Sequence, residues 1–186
     1  MTTSAPAFTE LTGTYELDPT HTRIGFVARH AMVTKVRGAF NDFSGTAKIN
    51  GDDLSQSNAN VTLKVAGIDT RNADRDNHLR TNDFLQAEDY PEITFSSTSI
   101  TQTGENDFDV TGDLTIKGTT RQVTIPLEYQ GAAKDPFGND RIGFEGSTVI
   151  SRKDFGITFN VALETGGVLV SDNVTLEFEV SAIKVS

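Results

Sequence analysis

Apolar and polar residues alternate along most of the chain with a period of two. The clearest alternating runs are residues 22–28, 59–65, 108–116, 123–129 and 174–180. Alternate side chains of an extended strand point to opposite faces, so each run predicts a strand with one apolar and one polar face. Further, less regular strands are predicted at residues 36–50, 92–101 and 141–151.

Turn-forming residues separate these runs and leave short connections between most of them. About eight strands joined in this way favour an all-β fold, an antiparallel meander closed into a barrel. A parity slip at Asn41 and Asp42 indicates a bulge, and Pro126 within a strand pattern indicates an edge or a bulge. A single helical turn is expected near residues 32–36.

One connection, residues 69–91, is too long for a hairpin loop, and loops of this length are usually functional or disordered. Asn72 can cap a short helix over about residues 73–80, with acidic residues in its first turn. Asp76 and Arg80 stand four residues apart, the spacing of an ion pair on a helix. We therefore predict one short helix beside one end of the barrel.

The chain has 186 residues, and 16 Lys and Arg against 26 Asp and Glu give a net charge of −10. This length fits a single domain, which we place at residues 13–186 after a flexible tail of residues 1–12. The acidic balance argues against nucleic acid and anionic membrane surfaces as partners. The absence of Cys excludes disulfides and thiol chemistry.

The sequence contains no segment that is long and apolar enough to span a bilayer. Its first residues, MTTSAPAFTE, lack the basic and apolar regions of a secretory signal. A cytoplasmic protein is the simplest expectation, and a leader removed from the N-terminus is the alternative.

Catalytic motifs and nucleotide-binding motifs are absent, and neither a metal nor another cofactor is expected. His21, His30 and His78 stand on separate segments without ligand spacing, and His78 is the best functional candidate because it lies in the long connection. The arginines of that connection could meet a polar ligand head, or could form a solvated face balanced by its acids. The twelve Phe residues fit either a packed core or an aromatic cavity wall, since an eight-stranded barrel permits both.

Six strings, in order, resemble the YceI-like family and cover nearly the whole chain. They are YELDPTHTRIGFVARH (15–30), VRGAFNDFSG (36–45), RDNHLRTNDFL (75–85), YPEITF (90–95), GDLTIKGTTRQVTIP (112–126) and the R-x-D-F-G-I pattern of residues 152–157. The resemblance implies an extended, eight-stranded antiparallel lipocalin-like barrel with a tunnel for a long apolar ligand. Such ligands are a polyisoprenoid, an isoprenoid quinone or a fatty amide. It implies no shared catalytic residues.

The predicted function is binding, carriage or sequestration of an isoprenoid-type lipid. The strand parity predicts these residues as the tunnel lining: Phe26, Phe40, Phe43, Leu63, Phe95, Leu114, Ile125 and Phe144. The predicted mouth residues are Arg75, His78 and Arg80, with His30 as a further candidate.

Two alternatives stay open at this point. The first is an enzyme acting on a lipid or isoprenoid precursor, with His78 and either Asp76 or Asp83 as acid–base partners. The second is a structural or stress-related interaction domain with a filled barrel. A homodimer is possible, but nothing in the sequence decides the oligomeric state.

Overall fold

The computed structural model describes residues 8–164 and 167–186. Within them, period-two segments form eleven strands of one antiparallel sheet. The strands are β1 (Gly13–Leu17), β2 (Arg23–His30), β3 (Thr34–Phe40), β4 (Phe43–Ile49), β5 (Asn58–Lys64), β6 (Ile68–Asp69), β7 (Glu92–Gln102), β8 (Asp107–Ile116), β9 (Thr119–Lys134), β10 (Asp140–Ser151) and β11 (Asn173–Lys184).

These eleven strands make eight barrel strands, because three barrel strands each consist of two segments. β1 and β2 lie end to end along β11, with Leu17 opposite Ala182 and Val27 opposite Thr175. β3 and β4 also lie end to end and form the neighbouring barrel strand, which pairs with β2 and β1. β5 and β6 form the barrel strand after that, which pairs with β4 and β3. The β1–β11 pairing closes the ring. The predicted closed, eight-stranded antiparallel barrel is confirmed.

The irregular positions of the sequence fall at breaks in the sheet. Asn41 and Asp42 separate β3 from β4, so that Phe40 and Phe43 are both buried despite their opposite parity. Pro126 pairs only with β8, and the ladder between β9 and β10 begins one residue later. The predicted helical turn at residues 32–36 is wrong: Ala31 and Met32 adopt left-handed φ angles of 52° and 64° in a tight turn between β2 and β3.

The long connection contains the predicted helix, α1 (Ala73–Leu79), and the side chain of Asn72 caps it by accepting a hydrogen bond from the Arg75 backbone N–H at 3.0 Å. The predicted ion pair between Asp76 and Arg80 is wrong. The Asp76 carboxylate instead accepts from the backbone N–H of Thr70 at 2.8 Å, because it turns back toward the preceding strand. Four 3-10 helices complete the secondary structure of the described residues: Phe8–Leu11, Leu54–Gln56, Val65–Gly67 and Arg152–Phe155.

The up-and-down order of the strands gives the barrel two distinct ends. We call one end the upper end. It carries the β2–β3 turn, the connection with α1, the β8–β9 turn and residues 152–172. The lower end carries residues 8–12, the β4–β5 connection, and the β7–β8 and β9–β10 turns. The two longest connections of the chain are thus at the same end.

The lower end is covered by a segment that the sequence placed in the flexible tail. Residues 8–12 are not a loose tail, since Phe8–Leu11 form a 3-10 helix and Phe8 is only 9% exposed. The Tyr15 hydroxyl donates to the Leu11 carbonyl at 2.9 Å, and the Gly51 N–H donates to Thr12 Oγ1 at 2.9 Å. Residues 1–7 of the predicted tail lie outside the described residues.

The buried side chains come mostly from the inner face of the barrel, as the alternation predicts. The larger cluster of the core fills the upper half and comprises Ile24, Phe40, Phe43, Leu63, Val65, Ile68, Phe84, Ile93, Leu114, Ile116, Phe155 and Ile157. A smaller cluster of Tyr15, Ile142 and Ala182 lies toward the lower end. No helix among the described residues is both long and apolar enough to cross a membrane.

Candidate ligand-binding cavity

The interior of the barrel contains a cavity of about 360 Å³. One water needs only about 10–15 Å³ of such space, so the cavity has room for a ligand of many heavy atoms. Its lining extends from Phe8, Leu11 and Leu54 at the lower end to Phe84 and Ile157 at the upper end. The interior is therefore hollow along the barrel, which contradicts the alternative of a filled barrel.

The wall of the cavity is apolar because it consists of the inner faces of the alternating strands. On β5, β7 and β8 the inward side chains of Leu63, Ile93 and Leu114 are buried in the core. The inward side chains of β2, β10 and β11 line the same cavity but stay partly accessible, as Phe26, Phe144, Leu176, Phe178 and Val180 show. Val61 on β5 and Phe95 on β7 are also partly accessible, while Ile24 on β2 and Ile142 on β10 are buried, so the free space is not confined to one side of the wall.

Seven of the eight predicted lining residues do line the cavity: Phe26, Phe40, Leu63, Phe95, Leu114, Ile125 and Phe144. Phe43 is the exception. It stands opposite Leu63 in the β4–β5 ladder and is buried in the core cluster, but it does not border the cavity. Parity correctly assigned its inward face, but an inward side chain need not border the free space.

His78 belongs to an aromatic cluster at the upper end of the cavity. Its ring meets Phe84 and Phe159 edge-on, with centroid distances of 5.0 and 5.1 Å, and those two rings lie 5.2 Å apart. His78 Nε2 also lies 2.9 Å from Asp83 Oδ2 on the exposed side. Phe84 lines the cavity, so His78 backs the wall without bordering the cavity itself.

Arg75 and Arg80 do not line the cavity, because both side chains bond to the backbone beneath α1. Arg75 donates from Nη2 to the Thr70 carbonyl at 2.6 Å and from Nε to Thr70 Oγ1 at 2.7 Å. Arg80 donates from Nη2 to the Ile68 carbonyl at 3.3 Å. These arginines hold the helix onto the barrel, and their predicted position at the mouth is corrected accordingly.

His30 is exposed at the end of β2, where it forms a β-bridge with Val170, and it does not line the cavity either. The three histidines stay apart: His21 pairs with Asp18, and His78 pairs with Asp83. Within the described part of the chain, no group of three or more His, Asp or Glu side chains is placed to hold a metal ion.

Sequence reasoning missed Arg152, a charged residue that lines the cavity and is only 6% exposed. It begins the 3-10 helix after β10, and its guanidinium donates only to backbone carbonyls. The acceptors are Ser171 (2.8 Å), Ile157 (3.2 Å), Phe159 (3.3 Å) and Val170 (3.4 Å). Burial lowers the pKa of this guanidinium. The R-x-D-F-G-I pattern contained the signal, since it begins with this residue.

The carboxylate of Asp172, just before β11, attracts the charge of Arg152 but accepts its hydrogen bonds from other groups. It accepts from the Ser151 hydroxyl at 2.6 Å, a bond that lowers the pKa of its carboxyl, and from the Lys153 N–H at 3.2 Å. Arg152 therefore presents a positive charge, satisfied by carbonyl dipoles, to the upper part of an apolar cavity.

Aromatic side chains close the lower part of the cavity. The ring of Phe8 meets Phe108 and Tyr129 edge-on, at centroid distances of 5.5 and 5.7 Å. Tyr15 and Tyr129 border the same space, and burial raises the pKa of both phenols. The lower end is thus closed by aromatic packing, and none of the described charged side chains lines the cavity there.

Outside the wall, a charge cluster ties the lower end together. Arg141 donates from Nη1 to Asp18 at 2.6 Å and from Nε to Asp135 at 2.8 Å. The hydrogen bond from Arg141 is the main cause that lowers the pKa of Asp18, while the backbone bond from Asn139 is the main cause at Asp135. The cluster connects the bend between β1 and β2 to the β9–β10 turn.

The closed barrel with a long apolar cavity defines a lipocalin-like protein. The chain belongs to the YceI-like family, because the model of the YceI-like domain matches residues 15–182. A UPF0312 protein of Staphylococcus epidermidis is 43% identical over 171 residues, which cover 90% of this chain and 95% of that protein. The resemblance seen in the sequence motifs is confirmed.

Solved structures share the fold over nearly the whole chain. BcnA of Burkholderia cenocepacia is similar with a TM-score of 0.78 and 28% identity, covering 89% of this chain and 98% of that one. A polyisoprenoid binding domain from Saccharophagus degradans, implicated in plant cell wall breakdown, has a TM-score of 0.70 and covers 92% and 98%. At 17% sequence identity, this similarity shows a shared fold and nothing more.

Proposed function

We propose that the protein binds a long-chain isoprenoid lipid, a polyprenyl chain or an isoprenoid quinone, and carries or sequesters it. The observation that supports this most is the cavity of about 360 Å³, whose wall is formed by the apolar faces of the barrel strands. A solved structure of the same fold is described as a polyisoprenoid binding domain, which fits this class of ligand.

Burial of the lipid tail accounts for the affinity. One buried CH₂ is worth roughly 0.8 kcal/mol, so one isoprene unit contributes about 4 kcal/mol before entropy losses. Several units would exceed the practical ceiling of about −18 to −21 kcal/mol, so losses on binding must offset much of this gain. Tail burial is non-directional, and the length of the cavity therefore selects the ligand more than any single contact does.

The predicted contacts follow from the placement of the wall residues. Phe26 and Phe144, on β2 and β10, belong to one wall of the cavity, and Leu63 and Leu114, on β5 and β8, belong to the wall across the barrel. We propose that the tail lies between these two walls. At the upper end, Arg152 is the polar group that faces the cavity, and His78 acts on the ligand only through the rings of Phe84 and Phe159.

Lipid extraction of the natively purified protein, followed by mass spectrometry, tests this proposal. We expect a co-purifying prenyl chain or quinone. Delipidated protein challenged with a polyprenol and with an isoprenoid quinone should gain thermal stability, because a ligand that binds only the folded state stabilises it. No thermal shift with either lipid would contradict the proposal.

A charge placed on the wall gives a sharper test. Leu63→Arg puts an unpaired cation against the cavity, where the cost of desolvation is high, and we expect the variant to lose lipid uptake. The matched control is Asn60→Arg, an exposed position on the outer face of the same strand. If Leu63→Arg folds, as judged by circular dichroism, and still takes up polyprenol, then the tail does not lie at residue 63.

Two further predictions from the sequence stay untested. The cytoplasmic location is checked by fractionation of cells that express the full-length protein. The possible homodimer is checked by light scattering of the purified protein at several concentrations.

A further inference from the structure

The charges of this acidic protein are distributed unevenly, and one hairpin carries only cations. Residues 19–41, which contain β2 and β3, include Arg23, Arg29, Lys35 and Arg37 but no Asp or Glu. The rest of the chain holds all 26 acidic residues. The barrel therefore has a basic hairpin at its upper end, although the net charge is −10.

The same hairpin ends in exposed apolar side chains. Met32 is 56% exposed and Val33 is 72% exposed, because the left-handed turn at Ala31 and Met32 extends beyond the barrel. Val161, also exposed, lies on a segment that is joined to the hairpin: the Ala31 N–H donates to the Leu169 carbonyl at 2.7 Å, and the Leu169 N–H donates to the Val161 carbonyl at 2.8 Å. The tip is thus an apolar patch and not one isolated side chain.

The cations nearest the tip are available to a partner. Arg37 lies 3.5 Å from Glu177, which offsets its charge. Arg29 donates to the Val33 carbonyl at 3.3 Å, and among the residues that the structure describes no carboxylate lies within ion-pair distance of Arg29 or Lys35. An apolar tip flanked by two such cations is the pattern of a surface that inserts between anionic headgroups.

The lower end provides an internal comparison. Phe137 at the tip of the β9–β10 turn is 88% exposed, but Asp135 and Asp140 flank it, with Lys134 as the neighbouring cation. Exposed apolar side chains therefore occur at both ends, whereas the combination with unopposed cations occurs on the β2–β3 hairpin.

We propose that the upper end docks on an anionic phospholipid bilayer, with Met32 and Val33 in the interface and with Arg29 and Lys35 at the lipid phosphates. This inference rests on the proposed function, since it supplies the surface at which a lipid passes between bilayer and cavity. The net charge of −10 does not prevent docking. Salt screens charges beyond about 8 Å at physiological ionic strength, so the acidic residues of the lower end contribute little at the contact.

Vesicle flotation of the full chain tests the docking. We use vesicles of phosphatidylcholine alone and of an equimolar mixture with phosphatidylglycerol, and we expect binding to the mixture only. Met32→Ser/Val33→Ser should abolish it. Arg29→Gln/Lys35→Gln should weaken it about twenty-five-fold, since each cation near an anionic surface contributes a factor of about five. Lys35→Gln alone, which leaves the Arg29 bond to the tip intact, should weaken it about fivefold.

The matched controls lie at the opposite end. Phe137→Ser removes an apolar tip that is even more exposed, and Lys48→Gln/Lys134→Gln removes two cations from strand ends of the lower end. Both variants should bind like the parent. Equal loss in the controls, equal binding to phosphatidylcholine alone, or no binding at all would each overturn the docking.

The two proposals fail separately. Uptake of polyprenol in solution without vesicles measures the cavity alone, and we expect every docking variant to retain it. Intact uptake without vesicle binding would overturn the docking and leave the proposed function standing. Vesicle binding without any lipid uptake would overturn the proposed function and leave the docking standing.

Discussion

The two ends of the barrel are closed in physically different ways. At the lower end, short connections and the 3-10 helix at Phe8–Leu11 cover the strands, and Phe8 packs edge-on against Phe108 and Tyr129. At the upper end, the two longest connections supply the cover, and the buried guanidinium of Arg152 holds one of them through four carbonyls. Aromatic packing occurs at both ends, and at the upper end a hub of hydrogen bonds from a buried charge adds to it.

This difference indicates which end can open. The two longest connections, residues 69–91 and 152–172, lie at the upper end, and long connections open at a lower cost than short, closely paired ones. Loops with exposed backbone hydrogen bonds are also drawn from the least stable parts of a fold. We therefore expect the lipid to exchange through the upper end, and variants at each end test this expectation.

The largest effect is expected for Arg152→Met. The variant keeps an unbranched side chain against the cavity but removes charge-assisted hydrogen bonds to four carbonyls, three of them in residues 157–170. We expect the free energy of unfolding to fall by about 4 kcal/mol. Urea denaturation gives this value, and stopped-flow release of a fluorescent polyprenyl analogue should become faster.

Lys153→Met is the control for Arg152→Met, because it removes a cation from the next, exposed position. We expect it to change the free energy of unfolding by less than about 0.5 kcal/mol. An Arg152→Met variant with the stability and release rate of the parent would show that the carbonyl hub does not hold the upper end.

Phe8→Ala is expected to have the next largest effect. It removes a buried ring that contacts Phe108 and Tyr129, and burial of this size is worth about 3 kcal/mol of folding stability. The release rate of the lipid should change little if exchange occurs at the upper end. Release as fast as in Arg152→Met would place both ends on the exchange path and remove the distinction between them.

The control for this variant is Phe137→Ala, which truncates the exposed ring of the neighbouring β9–β10 turn. Its unfolding free energy should stay within about 0.5 kcal/mol of the parent. Thermal or urea unfolding of the two variants side by side separates the loss of packing from the mere loss of a Phe.

The alternating pattern was sufficient to predict the closed barrel and to place Phe26, Leu63 and Phe144 on its inner face. This success has a simple cause, since parity along a strand is a local property and one face of each strand must be buried. Phe43 shows the limit of parity. Parity defines the direction in which a side chain points, while the distance between its ring and the cavity depends on how the side chains around it pack.

The upper end was harder to predict because tertiary contacts determine it. Asp76 and Arg80 have the spacing of a helical ion pair, yet both bond to backbone groups of the preceding strand region. Arg152 has no local feature that separates a buried arginine from an exposed one; its partners lie up to nineteen positions away. The helix at Phe8 is too short for any periodicity to predict it.

The smallest effect is expected for Arg141→Gln, which loosens the lower end from outside. Arg141 lowers the pKa of Asp18 below its ordinary value of 3.8, so the interaction stabilises the folded state above that pH and is lost as the pH falls through the lowered pKa. The variant should therefore be less stable than the parent at neutral pH, and the difference should shrink under strongly acidic conditions.

Acid titration followed by circular dichroism measures this effect, and we expect the variant to begin unfolding at a higher pH than the parent. Lys134→Gln, which removes a loose 3.8 Å pair with Asp140, is the control and should follow the parent. Lipid release should be unchanged, because the cluster lies outside the cavity wall at the end that stays closed. Faster release in Arg141→Gln would mean that the lower end opens when its charge cluster is broken, and exchange could no longer be assigned to the upper end.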